Sequence, residues 1–404
     1  MSAQPSIAED QIPEDWSRRA LRDVAVKIQD GTHFSPALGG TDYKYITSRN
    51  IGPGYLKLDS VSTISDEEHR KIYRRCDVHF GDLLLTKDGA NTGNAALSPF
   101  YEEVSLLSSI AFIRADQRHA VERYLLQYLL SEPGRKSIAD AMSGNAITRL
   151  TLDKINILVV PLPPIAEQHA IATALTDADD QITTLERLTV KREAIKQGMQ
   201  QLLTGSTRLP GFVGKWSEVS LGEVAQVLDT QRVPLSAGQR MSRRGPFPYC
   251  GANGVLDYID DYMIDDDVVL LAEDGGNFDQ FRSRPIAYRM KGKIWVNNHA
   301  HVLKAIHGGD TGYLFHALAH KDIRPYVASG TRSKLTRGEL VRIQVTLPDD
   351  IAEQRRIGEI LTDADNLIFS LKRLIAKKRA IKRGMMQELL TGRTRLPLDE
   401  EVAA

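Results

Sequence analysis

Between Pro164 and Leu203 the apolar residues fall at Ile171, Leu175, Ala178, Ile182, Leu185, Leu188, Ile195, Met199 and Leu202. Their early spacing alternates four and three, the narrow stripe of a helix that pairs with another helix. Gly198 is the only internal breaker, at about 1 kcal/mol relative to alanine. Gly205, just past Leu203, suits a C-terminal cap. About 40 helical residues would span roughly 60 Å. The same stripe returns between Ile351 and about Leu390, at Ile357, Leu361, Ala364, Ile368, Leu371, Leu374, Ile381, Met385 and Leu389. One long amphipathic helix cannot bury its stripe alone. The two are therefore expected to pair with each other, antiparallel because the chain returns after each, about a pseudo-twofold axis.

The helical stretches are copies. Ile165-Ala166-Glu167-Gln168 recurs as Ile351-Ala352-Glu353-Gln354, and Leu175-Thr176-Asp177-Ala178-Asp179 as Leu361-Thr362-Asp363-Ala364-Asp365. Thr207-Arg208-Leu209-Pro210 recurs as Thr394-Arg395-Leu396-Pro397. Roughly 20 of about 35 aligned positions are identical, with a one-residue slip near Met199. So long a period marks a duplicated half-protein and not a stack of small repeats.

The segments before each helix are mixed. Short β-like runs recur (Tyr45–Thr47, Asp82–Thr86, Ile110–Ile113, Asp267–Leu271, Lys293–Val296) between Gly, Asn, Asp and Pro. One helix is predicted over Val121–Leu130, ended by Glu132-Pro133-Gly134. Trp216-Ser217, Leu221 and Val224-Ala225 echo Trp16-Ser17, Leu21 and Val24-Ala25, but the two globular domains otherwise share little sequence. The fold class is α+β: two globular α/β domains joined by two long antiparallel coiled-coil helices. The expected boundaries are a tail at 1–14, a domain at 15–163, a helical region at 164–209, a domain at 210–348, a helical region at 349–397 and a tail at 398–404.

Composition narrows the classes. The formal charge is zero, from 52 Lys and Arg against 52 Asp and Glu, so no global polycation is present, though a local basic face remains open. Two cysteines, Cys76 and Cys250, make neither a disulfide framework nor a zinc site. No apolar run approaches ~18 residues, and no secretory leader is visible, so a cytoplasmic location is expected. A phosphate-binding Gly-x-x-x-x-Gly-Lys loop, a Gly-x-Gly-x-x-Gly turn and a His-Glu-x-x-His zinc motif are all missing. Pro163-Pro164, flanked by Leu162 and Ile165, is not an adenine-methyltransferase motif. No catalytic residue and no metal site is expected.

These motifs together resemble the specificity subunits of type I restriction-modification systems over nearly the whole length. The Pro-Leu-Pro-Pro-Ile-Ala-Glu-Gln entry and the Ala-Ile-Lys-Gln-Gly-Met to Leu-Leu-Thr-Gly close look like that family's two conserved regions. Asp30–Pro36 and Gly81–Gly93 look like its first target recognition domain, and Tyr249–Gly254, Ala272–Gly275 and Trp295–His301 like its second. The resemblance implies a non-catalytic, prokaryotic DNA-binding subunit. Each recognition domain would bind half of a split target, and the helices would set the gap. Two methyltransferase subunits would dock on it and restriction subunits would join. S-adenosylmethionine, ATP and Mg would be held by those partners. The alternative is a coiled-coil scaffold that binds proteins and not DNA.

Within that picture, the candidate DNA contacts in the first domain are Thr32, His33, Lys87, Asn91 and Arg149. Those in the second are Tyr249, Asn253, Asn297, Asn298, His299, Arg332 and Lys334. Asn suits adenine, and Lys or Arg suits guanine or phosphate. Each also has a plainer reading, as a turn histidine, an Asx-turn or a solvated charge. The helix-pair and partner interface is expected at Ile171, Leu175, Ile182, Leu185, Ile195 and Met199, and at Ile357, Leu361, Ile368, Leu371, Ile381 and Met385. The basic run Lys372, Arg373, Lys377, Lys378, Arg379, Lys382 and Arg383 is read as a solvated face, a DNA track or a hold on an acidic partner.

Overall fold

The structure, a computed structural model, describes residues 12–142, 149–328 and 333–397. The chain divides into two compact units, Met1–Leu185 with Leu374–Ala404, and Glu186–Arg373. Each holds one globular domain, part of the first long helix and part of the second.

In the first unit the strands are β1 (Ser17–Ala20), β2 (Ala25–Asp30), β3 (Tyr43–Ile46) and β4 (Ser62–Ile64), then helix α1 (Asp66–Tyr73). There follow β5 (Leu83–Thr86), β6 (Ala95–Leu97), β7 (Ser105–Leu106) and β8 (Ile110–Ala115). Helices α2 (Glu122–Leu130), α3 (Glu132–Met142) and α4 (Leu152–Asn156) lead to β9 (Val159–Leu162) and the long α5 (Ile165–Met199). The main sheet has the order β2-β8-β5-β6, and a second sheet the order β4-β3-β7 with β3 and β7 parallel. β1 pairs with β9, joining the domain's entrance to its exit.

The second unit carries β10 (Trp216–Ser220), α6 (Leu221–Val224), β11 (Ala225–Val227), α7 (Ala237–Ser242), β12 (Arg244–Gly251), β13 (Gly254–Ile259) and β14 (Ile264–Ala272). It continues with β15 (Ala287–Val296), β16 (Ala300–Ala305), α8 (Thr311–Ala319), α9 (Arg337–Leu340), β17 (Gln344–Pro348) and the long α10 (Ile351–Leu389). Its sheet order is β11-β16-β14-β15-β12-β13, and β10 pairs with β17. The run β11-β16-β14-β15 repeats β2-β8-β5-β6, and the parallel contact of β12 with β15 repeats that of β3 with β7. The two domains thus share one topology despite their unlike sequences.

The predicted helix after Val121 is α2, but Glu132-Pro133-Gly134 does not simply end it. The Ser131 hydroxyl accepts from the Gly134 N–H at 3.2 Å and opens α3. Proline is tolerated in a first helical turn, where its missing N–H has no intrahelical partner to lose.

Cross-helix contacts run antiparallel inside each unit. In the first, Lys382 bonds Asp179 at 2.6 Å and Lys378 donates to Gln181 at 2.7 Å. In the second, Lys196 bonds Asp365 at 2.5 Å and Lys372 bonds Glu193 at 2.7 Å. Lys382 and Lys196 are the same position of the repeat, as are Asp179 and Asp365, so one ion pair is made twice. Three residues of the seven-residue basic run, Lys372, Lys378 and Lys382, thus contact the other helix.

The apolar rows split. Ile171, Leu175 and Ile182 are buried, as are Ile357, Leu361, Ile368 and Leu371, together with Ile375. Leu185, Met199 and Met385 are partly buried. Ile195 and Ile381, expected in the seam, are instead 38% and 46% exposed. The pairing row passes through the adjacent Lys196 and Lys382, about 100° away around the helix. Leu367, Leu374 and Ile381, seven residues apart, form a second, exposed row along α10.

The slip near Met199 has a local cause. α5 ends there and continues as a 3₁₀ turn over Gln200–Leu203, whereas α10 stays α-helical to Leu389. Three residues at about 2.0 Å rise cover the same ~6 Å as four at about 1.5 Å. Leu202 and Leu389 accordingly both reach buried positions.

The two repeated tetrapeptides, Ile-Ala-Glu-Gln and Thr-Arg-Leu-Pro, form a clasp. Arg395 donates to the buried Glu167 at 2.5 and 2.7 Å, and Arg208 to the buried Glu353 at 3.3 and 2.6 Å. Each arginine also lies 6.0 Å from a tryptophan ring, Trp16 or Trp216. The neighbouring glutamines tie the helix start to the strand before it. Gln168 donates to the Pro163 carbonyl and Gln354 to that of Pro348, at 2.9 and 2.8 Å. Among the described residues no helix is long and apolar enough to cross a membrane.

Candidate nucleic-acid interface

The first domain gathers several of its candidate residues around two aspartates. β2 ends at the buried Asp30, which faces His33 Nε2 at 3.1 Å and Lys87 Nζ at 3.5 Å. Lys87 also bonds Asp88 at 2.9 Å, and Arg149 takes the other side of Asp88 at 3.0 Å. Burial pushes the Asp88 carboxyl up, but the hydrogen bonds from Arg149 and Lys87 outweigh it and hold the group below its usual range. Asp30, Thr32, His33, Arg75 and Cys76 line an open pocket of about 470 Å³. Thr32 is buried and its hydroxyl accepts from the Phe34 N–H, so it shapes the loop. Lys87 is 5% exposed and is an internal counter-ion as the structure stands. The exposed groups are His33 and Arg149, with Asn91 tied to the Ser48 carbonyl at 3.4 Å.

In the second domain three loops converge. Asn253 donates to the Gly275 carbonyl at 2.8 Å and accepts from Asn277 at 3.2 Å. Asn297 is buried, and its side-chain oxygen accepts from the His299 N–H at 2.8 Å, the Asx-turn form of its two readings. That turn leaves Asn298 exposed and aims His299 at Asp274, 2.6 Å from Nδ1. Tyr249 is 1% exposed and its hydroxyl accepts from the Leu235 N–H, so it supports the sheet and does not face outward. Lys334 bonds Glu273 at 3.0 Å. Arg332 lies outside the described residues.

Beneath these loops Asp229, Glu273 and His301 bring their ligand-type atoms within 4.8 Å of one another. Arg232 already bonds both carboxylates, at 3.2 and 2.6 Å, so they are neutralised from within the protein. Burial pushes the Asp229 and Glu273 carboxyls up. His301 and Arg232 on the one, and Arg232 and Lys334 on the other, bring both net below their usual range. Burial raises the Cys76 and Cys250 thiols to about 12 and about 11, leaving neither a ready thiolate. Asp88 and Asp274 lie in the stretches Gly81–Gly93 and Ala272–Gly275 that the sequence marks, but neither they nor Asn277 stand among its candidate contacts. The signal that could have found the aspartates is the Asp-Gly that follows an apolar strand in both domains.

Both halves of the chain match one family model, the type I restriction modification DNA specificity domain, at residues 13–196 and 214–382. The chain is 34% identical over 153 residues to a type I restriction enzyme specificity subunit of Haemophilus influenzae, an alignment covering 38% of each protein. It is 24% identical to the MjaX specificity subunit of Methanocaldococcus jannaschii over 96% of this chain and 95% of that one. Its fold is similar to the crystal structure of a type I system S subunit from M. genitalium, with TM-score 0.67 and 17% identity, covering 94% and 97% of the two chains.

Proposed function

The chain belongs to the family of type I restriction-modification DNA specificity subunits, and on that premise we propose that it reads a split, asymmetric DNA target, one half with each globular domain. One observation supports this most. The two domains keep one topology and one entrance-to-exit clasp, while the side chains at their loop tips differ. That is what two readers of unlike half-sites on a common frame require. Affinity would come mainly from phosphate contacts and fall steeply with salt.

The helices would set the gap between half-sites and carry the partners. The exposed apolar row on α10 is Leu367, Leu374 and Ile381; α5 has Gln181, the partly buried Leu188 and the exposed Ile195 at those positions, so the exposed isoleucine is the surface that both copies of the repeat share. That fits two methyltransferase subunits docking alike. Adenine methylation with S-adenosylmethionine, and ATP- and Mg-dependent cleavage by restriction subunits, would then be supplied by those partners.

Co-expression with a neighbouring adenine methyltransferase, followed by methylation sequencing, is expected to reveal one split motif, and replacing residues 15–163 by another recognition domain should change one half only. A methylome with no split motif would sink the proposal. Ile195→Asp and Ile381→Asp should each cut co-purification of the methyltransferase about tenfold without lowering Tm, because the side chains are already exposed. Inserting four residues in α5 adds about 6 Å and should widen the gap by roughly one or two base pairs of about 3.4 Å each. An unchanged gap would remove the ruler.

A further inference from the structure

Lys87 and Glu273 occupy the same place in the two domains. Each follows the central strand of its sheet, β5 or β14, and precedes Asp-Gly. The Lys87 N–H donates to the Ser109 carbonyl at 2.8 Å, and the Glu273 N–H to that of His299 at 2.8 Å. Their own carbonyls accept from Leu150 at 3.3 Å and Leu335 at 2.8 Å. Gly89 and Gly275 both have positive φ, 93° and 63°, so the turns run alike. This backbone match makes Ser109 equivalent to His299 and Arg149 to Lys334. The strand registers likewise make Asp30 equivalent to Asp229.

The charge at this shared place is reversed, and the ion pairs around it rearrange. In the first domain Lys87 satisfies Asp30, and Arg149 is held by the turn aspartate, Asp88. In the second domain an acid stands there instead, beside Asp229; Arg232 supplies the positive charge, and His301 Nδ1 is hydrogen-bonded to Asp229 at 2.6 Å. Lys334 then binds Glu273 and not the turn aspartate. Asp274 is left to hold His299, which has no equivalent side chain in Ser109. Arg149 and His299 are 58% and 50% exposed.

We propose that Asp88 and Asp274 are the positioning residues of one DNA-reading element present in both domains. Each aspartate presents a half-exposed side chain to the duplex, Arg149 in one and His299 in the other. The charge of the preceding residue, Lys87 or Glu273, selects which. The guanidinium offers a planar fork of donors suited to a guanine edge or a phosphate. The imidazole, fixed through Nδ1, offers only Nε2 to a base edge. The inference rests on the DNA-reading function proposed above.

The test is selection from a random-sequence duplex library by the full chain bound to its methyltransferase. Asp274→Asn and His299→Ala are expected to reduce base discrimination about tenfold at one or two adjacent positions of one half-site. The other half-site motif and Tm should be unchanged. Asp88→Asn and Arg149→Ala should do the same to the opposite half, and Asp274→Glu, which keeps the acceptor, should restore part of the loss. Folded variants that select the wild-type motif in both halves would overturn the inference alone. So would losses spread over both halves together with a lowered Tm. Failure of the wild-type chain to enrich any split motif would overturn the DNA reading, and this inference with it.

Discussion

Arg208→Ala is expected to destabilise the second unit by about 3–5 kcal/mol, because it leaves the carboxylate of Glu353 without its cation in a site closed to water. For a unit of this size that is a fall in Tm of roughly 10 °C. The loss comes mainly from the stranded charge and less from the broken attraction. The double variant Arg208→Ala with Glu353→Gln should therefore recover most of it, since the neutral amide costs far less to bury. Differential scanning calorimetry of the single and double variants checks this. A double variant as unstable as the single one would mean that packing of the guanidinium over Trp216 dominates. Arg395→Ala should act in the same way on the first unit. There Glu167 keeps one donor, the Trp16 indole N–H at 3.2 Å, so the effect should be smaller.

The second unit should also lose stability in mild acid. His316 on α8 is buried against α10, with Nε2 3.1 Å from the Thr362 hydroxyl. Burial, aided by Lys196 and Arg289 and opposed by Asp365, lowers its proton affinity to about 4, from an ordinary value of 6.5. Below pH 6.5 the unfolded chain takes up a proton that the folded chain refuses. The stability is fully present above about 6.5 and is lost as the pH falls towards 4, by on the order of 3 kcal/mol. Asp229 and Glu273, held below ordinary values of 3.8 and 4.5, add their losses only at lower pH. Denaturant melts of wild type and His316→Gln between pH 7 and 4.5 should diverge, with the variant nearly flat. Parallel profiles would show that the ring is charged when folded.

How much of this was legible in the sequence depends on the range over which each interaction acts. The long helices were, because an apolar period repeated over 35 residues reports a helix by itself. Which apolar row faces the other helix was not. Ile381 and the neighbouring Lys382 differ by one residue, and only Asp179 on α5 decides which turns inward. Glu167 and Arg395 were visible as members of a repeat, but their contact joins residues 228 positions apart in sequence. The common topology of the domains was hidden because alternating apolar residues specify strands without specifying order. In the first domain the turn at Gly89 was visible as a turn. Arg149, which bonds Asp88 of that turn, lies 61 positions away in sequence, beyond any local pattern.

The 3₁₀ turn after Met199 has a consequence for how such chains change over time. It lies beyond the last cross-helix ion pair, so a residue lost there alters neither reach nor pairing. A single-residue loss or gain inside either helix would rotate every side chain beyond it by about 100° and strand the lysine-aspartate pair. Steps of three or four residues, close to a full turn, would nearly restore the facing. Drift in the length of these helices should therefore be quantised and, on the proposal that they set the gap, the distance between half-targets should move in jumps, while the last turn can absorb a single residue so long as Leu202 stays buried and Arg208 still reaches Glu353.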